Sequence, residues 1–580
     1  MSQVLEKPIL LDETGQDISS KINGVGGKID SSSTAIVEAL DDIKEAIGVS
    51  GDFTPVMIKV TTPPAKIAYM AGEPLDLAGI VVSLIAANGV HIDVTDQCTF
   101  NPANGTTLTS ADTSVAISYY WYKDDVTFTT TFPIGIKELD YITITTPPTQ
   151  TEYVTGDTLD LTGIVVVATY DDGTFLDVTA NCTFSPADGA TLTANDTTIT
   201  VSYTEAGITK TATQNISVTP IYGVEWDGSA TTTWTRTESA ANFTNPSPAV
   251  NNRNGSSPFD SIMPWSGIER VEDATAGTLV KIPKFWFKWT ADGNAIKIQI
   301  SNQELEGFSV SPAHSDRGDG QGERDFVYVG AYHCDSTYKS VTGTTPAKYS
   351  RENWLTNIQS LGGEYYPMDY AMYMTIFLLY LVEYADWNSS YTIGFGANDN
   401  AGVNGGCDAM IYHTGTKATS RQADGQIRYR YIENLWGTID DHLAGVVSNR
   451  TNTQTTRPRL EIALNPAGFS RCTDTSSSAD QYFINAGTFN LGSSTSIAEY
   501  ITKFAGPPIR WAAVIVQNSS VTGNSTSYCC DRYDVAKGTC LPVLIGGVGQ
   551  ALTGLFRLSA STSSAGASVG ARIMKLPANS

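Results

Sequence analysis

A block of sequence recurs at an offset of 84 residues, and this recurrence restricts the fold more than any other feature. Thr61-Thr62-Pro63-Pro64 returns as Thr145-Thr146-Pro147-Pro148, and Leu75-Asp76-Leu77 as Leu159-Asp160-Leu161. Gly79-Ile80-Val81 returns as Gly163-Ile164-Val165, Asp93-Val94-Thr95 as Asp177-Val178-Thr179, and Cys98-Thr99-Phe100 as Cys182-Thr183-Phe184. Each copy sets short runs rich in β-branched residues between Pro, Gly and Asp turns. Such a pattern in about 80 residues predicts an antiparallel β-sandwich. Two sandwiches in tandem are therefore expected, over residues 51–137 and 138–220.

Ahead of them, residues 18–46 carry a seam of Ile18, Ile22, Val25, Ile29, Ser32, Ile36, Ala39, Ile43 and Ala46, spaced alternately four and three apart. Ile at both a- and d-type positions favours three parallel strands over two. Gly24, Gly26 and Gly27 weaken the first half, so the firm helix is expected to start near Asp30 or Ser31. Residues 1–50 are thus read as an attachment segment with a trimeric coiled coil, whose trimerisation residues are Ile18, Ile22, Val25, Ile29, Ile36 and Ile43.

Charge narrows the partners. The chain carries a net charge of -24, and residues 51–220 alone hold 19 acids against 5 bases. Nucleic acid and anionic membrane need a basic footprint, so neither is an expected partner. The N-terminus shows no basic region followed by a long apolar core, so no signal peptide is read there. No apolar run approaches the roughly 18 residues a membrane span needs. The eight cysteines do not form a disulfide framework. Cys98 and Cys182 fall one per repeat and are expected as small core residues. Cys529, Cys530 and Cys540 lie close together, and a bridge from Cys540 to one of the others stays open. Paired CxxC spacing is absent, so no structural zinc is expected.

Residues 221–580 remain as a head. Trp226, Trp234, Trp265, Trp286, Trp289 and Trp354 offer an aromatic core or platform. Lys281 to Trp289 alternates like one half-buried strand, and Glu306 to His314 and Asp325 to Cys334 are strand-like. Asp369 to Tyr384 is expected as a helix, with Met372, Ile376, Leu379 and Tyr380 at helical spacing.

Three motifs carry a family resemblance. Arg428-Tyr429-Arg430-Tyr431-Ile432-Glu433-Asn434-Leu435-Trp436-Gly437 resembles the tryptophan-glycine signature of the C-type-lectin-like fold in its formylglycine-generating-enzyme-like form, which many phage tail proteins use. Gly554 to Leu558 and Val569 to Pro577, separated by a Ser/Thr/Ala/Gly run, resemble the closing strands of the same modules. The two repeats resemble bacterial Ig-like domains of surface proteins and phage tails. The resemblance implies a mainly β, multidomain chain: an N-terminal trimeric coiled coil, two Ig-like β-sandwiches and a C-terminal α+β C-type-lectin-like head. In retroelement-diversified members the closing strands frame a variable ligand face, here between Gly554-Leu555-Phe556 and Gly570-Ala571-Arg572. The ligand-binding residues so implied are Val548, Gln550, Leu552, Arg557, Ser559, Ser561 and Thr562, and Tyr528, Arg532, Tyr533 and Asp534 join them because Ser527 to Asp534 mixes aromatic, cationic and acidic side chains as a paratope does. Tyr533 and Arg557 are expected to project, with Phe556 and Leu558 facing the core.

Catalysis finds less support. Cys334, Cys407 and Cys472 share no motif with the family's reactive cysteine pair, and Thr438-Ile439-Asp440-Asp441-His442 replaces the second part of its signature. His413 or His442 beside Asp408 or Asp441 suggests a metal, but lone surface histidines are the plainer expectation. Asp319, Glu323 and Asp325 are candidate glycosidase or calcium carboxylates, yet the Gly-rich run Asp316 to Asp325 reads first as a solvated loop. Oxygen ligands of the kind calcium takes also cluster at Asn398-Asp399-Asn400. The expectation is no catalytic residue, no metal and no cofactor, with calcium as the open alternative. The expected partners are a bacterial surface receptor, glycan or protein, and other virion tail proteins through the N-terminus. The expected place is the virion tail, after synthesis in the host cytoplasm. A bacterial adhesin and a glycan-depolymerising tailspike are the alternatives.

Overall fold

The computed structural model describes residues 53–250, 254–397, 402–417, 425–448 and 459–473, and beyond them 483–488, 496–500, 504–505, 514–515, 524, 527, 529, 531–536, 541–546, 554–560 and 569–578. The heptad segment lies outside the described residues, as do Asn398 to Asn400 and, of the implied ligand residues, Tyr528, Val548, Gln550, Leu552, Ser561 and Thr562. The chain is mainly β. It divides into two compact units, one of residues up to 149 with 161–187 and 199–214, the other of 150–160, 188–198 and 215–580. The division runs through the second repeat. Among the described residues no helix is long and apolar enough to cross a membrane.

In the first repeat, Pro55–Thr62, Val81–Ala86 and His91–Asp93 form one antiparallel sheet, and Thr99–Asn101, Ser114–Trp121 and Val126–Pro133 form another. Their inner faces meet in a single core of Ile58, Val82 and Leu84 against Val115, Ile117 and Tyr119. The second repeat builds the same pair, Leu139–Thr146 with Val165–Tyr170 and Phe175–Asp177, and Thr183–Ser185 with Thr198–Glu205 and Ile208–Asn215.

The repeated Asp-Val-Thr motif has a local cause. Asp93 accepts from the amide and hydroxyl of Thr95 at 2.9 and 2.5 Å, and the Thr95 hydroxyl accepts the Val82 amide at 2.8 Å. Asp177, Thr179 and Val166 repeat the set at 3.0, 2.6 and 2.8 Å. The turn that follows His91–Asp93 is thereby tied to the neighbouring strand Val81–Ala86, and its counterpart after Phe175–Asp177 to Val165–Tyr170. Cys98 and Cys182 follow these turns and are half-buried, and Cys98 packs against the edge of the core of its repeat.

The longest described helix of the second unit runs Tyr370–Tyr384, capped by Asp369, whose carboxylate accepts the Met372 amide at 2.8 Å. All fifteen of its residues are buried, Thr375 and Glu383 included, so every face of the helix packs inside the core. It is enclosed by sheets. One is five-stranded, in the order Thr235–Glu238, Tyr222–Trp226, Ala295–Ser301, Trp286–Asp292, Ser309–Val310. A second runs Glu269–Asp273, Gly277–Pro283, Phe326–Gly330, Ile573–Lys575, Tyr365–Pro367. The run Lys281 to Trp289 is therefore two strands in different sheets rather than one. Pro283 ends the first and Phe285, fully buried, fills the corner.

Candidate functional site

The third sheet of the second unit carries the candidate face. Its order is Phe483–Thr488, Arg459–Ala463, Asp440–Ser448, Leu541–Gly546, Leu558–Ala560, Arg532–Ala536, Ser496–Tyr500. Strands 532–536 and 558–560 pair in parallel, with Tyr533 opposite Leu558 and Asp534 opposite Ser559. Side chains alternate across a sheet, so Tyr533 and Asp534 go to opposite faces. Tyr533 is 2% exposed and joins Leu558 and Phe556 in the core. This corrects the expectation that Tyr533 projects. Ser559, 6% exposed, is covered as well. Arg532 opens its strand opposite Tyr500.

Of the implied ligand residues, the structure brings Asp534 and Arg557 together, and sequence reasoning missed their third partner. The Arg557 guanidinium donates to Asp440 at 2.6 Å and to Asp534 at 3.3 Å. Asp440 and Asp534 keep about a quarter of their side-chain surface in solvent, and Arg557 keeps 14%. Burial pushes the Asp440 carboxyl above its ordinary value, and Arg557 offsets part of that. Asp440 comes from a strand more than a hundred residues upstream, and no local signal joins it to Arg557.

A second carboxyl holds the frame beneath. Asp531 is 4% exposed and accepts the Phe556 amide at 2.9 Å. A Cβ added at Gly554 would stand 2.5–2.6 Å from both Asp531 oxygens and the Ser389 hydroxyl, so only glycine passes there. Burial pushes the Asp531 carboxyl up to about 8, against the Phe556 amide and Arg557. At neutral pH the folded protein therefore keeps a proton that the unfolded chain has released. Stability contributed by this group is full below pH about 4 and falls as pH rises towards 8, by on the order of 1.4 kcal/mol per pH unit. Asp531→Asn keeps an acceptor for Phe556 without a titrating proton. Denaturation midpoints of this variant are expected to overtake wild type between pH 5 and pH 8, and a constant difference across that range would remove the assignment.

The resemblance motifs prove structural. Arg430 and Tyr431 both take positive φ, 43° and 69°, in the tight turn between Ile427–Tyr429 and Ile432–Glu433. Arg428, 4% exposed, donates to the carbonyls of Cys407, Met410 and Tyr412. Glu433 accepts the amides of Gly405 and Cys407 at 3.0 and 2.8 Å. Arg572 in the terminal frame is fully buried and donates to the carbonyls of Gly330, Glu433 and Asn434. The tryptophan-glycine motif and the chain's last strand are thus bonded to each other.

Other sequence expectations change. The run Asp316 to Asp325 is not merely a solvated loop, because Arg317 and Arg324 within it are 2% exposed. Arg317 pairs with Asp369 and donates to the Leu464 carbonyl, and Arg324 binds Asp319 and the Pro577 carbonyl. His413 and His442 are not surface histidines. His442 is 1% exposed, and burial holds it down at about 4. His333, unnoticed in the sequence, lies 3.0 Å from Asp441 and 3.2 Å from the Thr438 hydroxyl. That is a hydroxyl–imidazole–carboxylate order, but all three residues are at most 1% exposed, and no substrate reaches them.

Among the described residues, Asp260, Glu383 and His413 bring metal-capable atoms within 4.8 Å. Arg430 already stands between the carboxylates, donating to Asp260 at 3.0 Å and to both Glu383 oxygens. Its guanidinium supplies the charge a cation would bring. Burial opposes the Asp260 carboxylate, while His413, the Ser257 amide and Arg430 hold it below the ordinary carboxylate value.

No protein-family model matches this chain, and no curated protein matches it. Among solved structures it is similar to Sidekick-1 immunoglobulin domains 1–5, at 10% identity over 45% of this chain and 59% of that chain, with a TM-score of 0.14. It is also similar to the surface layer protein SbsC, domains 4–9, at 11% identity over 88% of this chain and 82% of that chain, with a TM-score of 0.16. The chain spans 59% of the length of the first of these, and likenesses at such scores carry no part of the argument below.

Proposed function

We propose that this chain is a receptor-binding protein of a phage tail, which adsorbs the particle to a bacterial surface by multivalent, non-covalent contacts. The observation that carries the reading is the Arg557–Asp534–Asp440 cluster, partly solvent-facing, with Asp534 and Asp440 on strands and Arg557 just ahead of one, all three strands packed on a large core. Rigid strands that present charged groups suit recognition of polar surface groups, glycan or protein, whereas the relay-like His333 set is sealed from solvent. The finer architecture belongs to the same proposal: an N-terminal trimeric coil that meets other tail proteins, two Ig-like spacers and a C-type-lectin-like head. Three heads on one trimer raise avidity without a tight single site.

The test uses the purified full chain against a panel of bacterial isolates. A light-scattering mass near three chains, saturable adsorption to some isolates and no release of reducing sugars are the expected results. A monomeric mass removes the multivalent mechanism. Release of oligosaccharide puts a depolymerase in its place.

A further inference from the structure

A small cavity opens in the head where the helix Arg351–Gln359 meets the strand Asp440–Ser448. Its walls are mostly apolar, with Trp354, Leu355, Pro367 and Phe469 among them. Two polar side chains also line it, Arg351 and His442. There is room for about one water-sized body.

Both polar side chains keep hydrogen-bonding capacity unspent there. His442 is 1% exposed, and neither ring nitrogen makes a hydrogen bond. The Tyr349 carbonyl stands near the ring without the geometry of one. Burial first, and Arg351 second, hold the imidazole down at about 4, so at pH 7 it is neutral and carries a single N–H. Arg351 donates through Nε and Nη2 to Glu352 at 3.3 Å each, while its Nη1 is buried and has no partner. Buried polar groups are normally satisfied, so two such groups around one cavity call for a ligand.

The field in the cavity sets the sign of that ligand. The helix starts here, capped by Ser350, whose hydroxyl accepts the Asn353 amide at 3.3 Å. Its first turn favours negative charge, as does the Arg351 guanidinium. The carboxylates that oppose them are already engaged. Glu352 is bound by Arg351 and keeps 58% of its side chain in solvent, and Asp441 lies 3.0 Å from His333 and 3.8 Å from Arg572.

We propose that this cavity binds a monatomic anion of chloride size, held by Arg351 Nη1 and the His442 N–H. Arg351 repels a cation, and an oxyanion as large as phosphate has no room. Chloride asks only for donors, which a guanidinium and a neutral imidazole both supply. The anion would brace the two elements that hold the closing frame. The Tyr349 amide and the Trp354 indole donate to the Val569 carbonyl at 3.0 and 2.9 Å, and the His442 amide donates to the Gly570 carbonyl at 3.0 Å. Stability gained this way needs no receptor, so the site does not rest on the adsorption reading.

The experiment follows thermal unfolding of the full chain by tryptophan fluorescence, in sodium chloride and in sodium gluconate at equal ionic strength, so that screening is matched. With chloride about ten times above its dissociation constant, the midpoint is expected to lie about 2 °C higher than in gluconate. Arg351→Met removes both the charge and the donor and is expected to abolish most of that difference. The difference is read within each protein, so a general loss of stability in the variant does not obscure it. Crystals of the full chain grown with bromide supply a second measurement that needs no variant. An anomalous peak is expected within hydrogen-bonding reach of Arg351 Nη1 and His442. An equal chloride effect in wild type and variant overturns the proposal. So do a wild type indifferent to the choice of anion and a cavity that holds only water in the bromide crystals.

Discussion

Arg430→Met is expected to destabilise the head by about 3–5 kcal/mol, because it leaves the buried Glu383 carboxyl without its guanidinium partner. Glu383 is fully buried near the end of the central helix, and Arg430 binds it through both Nε and Nη2. Asp260, the third member, keeps 34% of its side chain in solvent and is rehydrated more easily. Adding Glu383→Leu removes the stranded carboxyl and is expected to recover part of the loss, since apolar replacement of a buried pair is often tolerated. Recovery stays incomplete because the buried Tyr429 hydroxyl, which donates to Glu383 at 3.1 Å, loses its acceptor. Nine of the ten tryptophans lie beyond residue 220, so denaturation followed by tryptophan fluorescence reads the head. A double variant less stable than Arg430→Met alone would mean that Glu383 anchors the helix through groups other than Arg430.

Phe556→Ala is expected to cost a similar 3–5 kcal/mol while Arg557→Ala, one residue on, costs about 1 kcal/mol or less and weakens adsorption instead. Phe556 is fully buried and meets Phe377, Trp387 and Tyr380 with ring centroids 4.8, 5.1 and 5.7 Å apart. Its loss opens a cavity beside the central helix. Arg557 sits at the partly exposed cluster, so its truncation removes a recognition group and leaves Asp440 and Asp534 to water. Tyr533→Ala belongs with Phe556→Ala, since that ring is also in the core. Melting midpoints and cell-adsorption rates measured on the three variants separate the two roles. Normal adsorption by Arg557→Ala would move the receptor site off these strands.

The sequence alone determined the elements whose causes are local. The two repeats were legible because each Asp-Val-Thr turn makes its own hydrogen bonds within about fifteen residues, so the same words must recur wherever the same turn is built. The helix at 370–384 was legible from Met372, Ile376, Leu379 and Tyr380 at helical spacing, and so was the inward direction of Phe556 and Leu558. Tertiary structure decided what depends on distant partners. Alternation says that Tyr533 and Asp534 part company, but only the strand at 558–560 and the helix behind it decide which of them meets the core. Arginine is mostly an exposed residue, yet Arg317, Arg324, Arg428, Arg430 and Arg572 are each buried. A charge leaves water only where partners converge on it. Those partners here are Asp369, Glu383 and backbone carbonyls from as far as 253 residues along the chain. No window of sequence contains that convergence, so the buried charges that lock the head together became visible only in three dimensions.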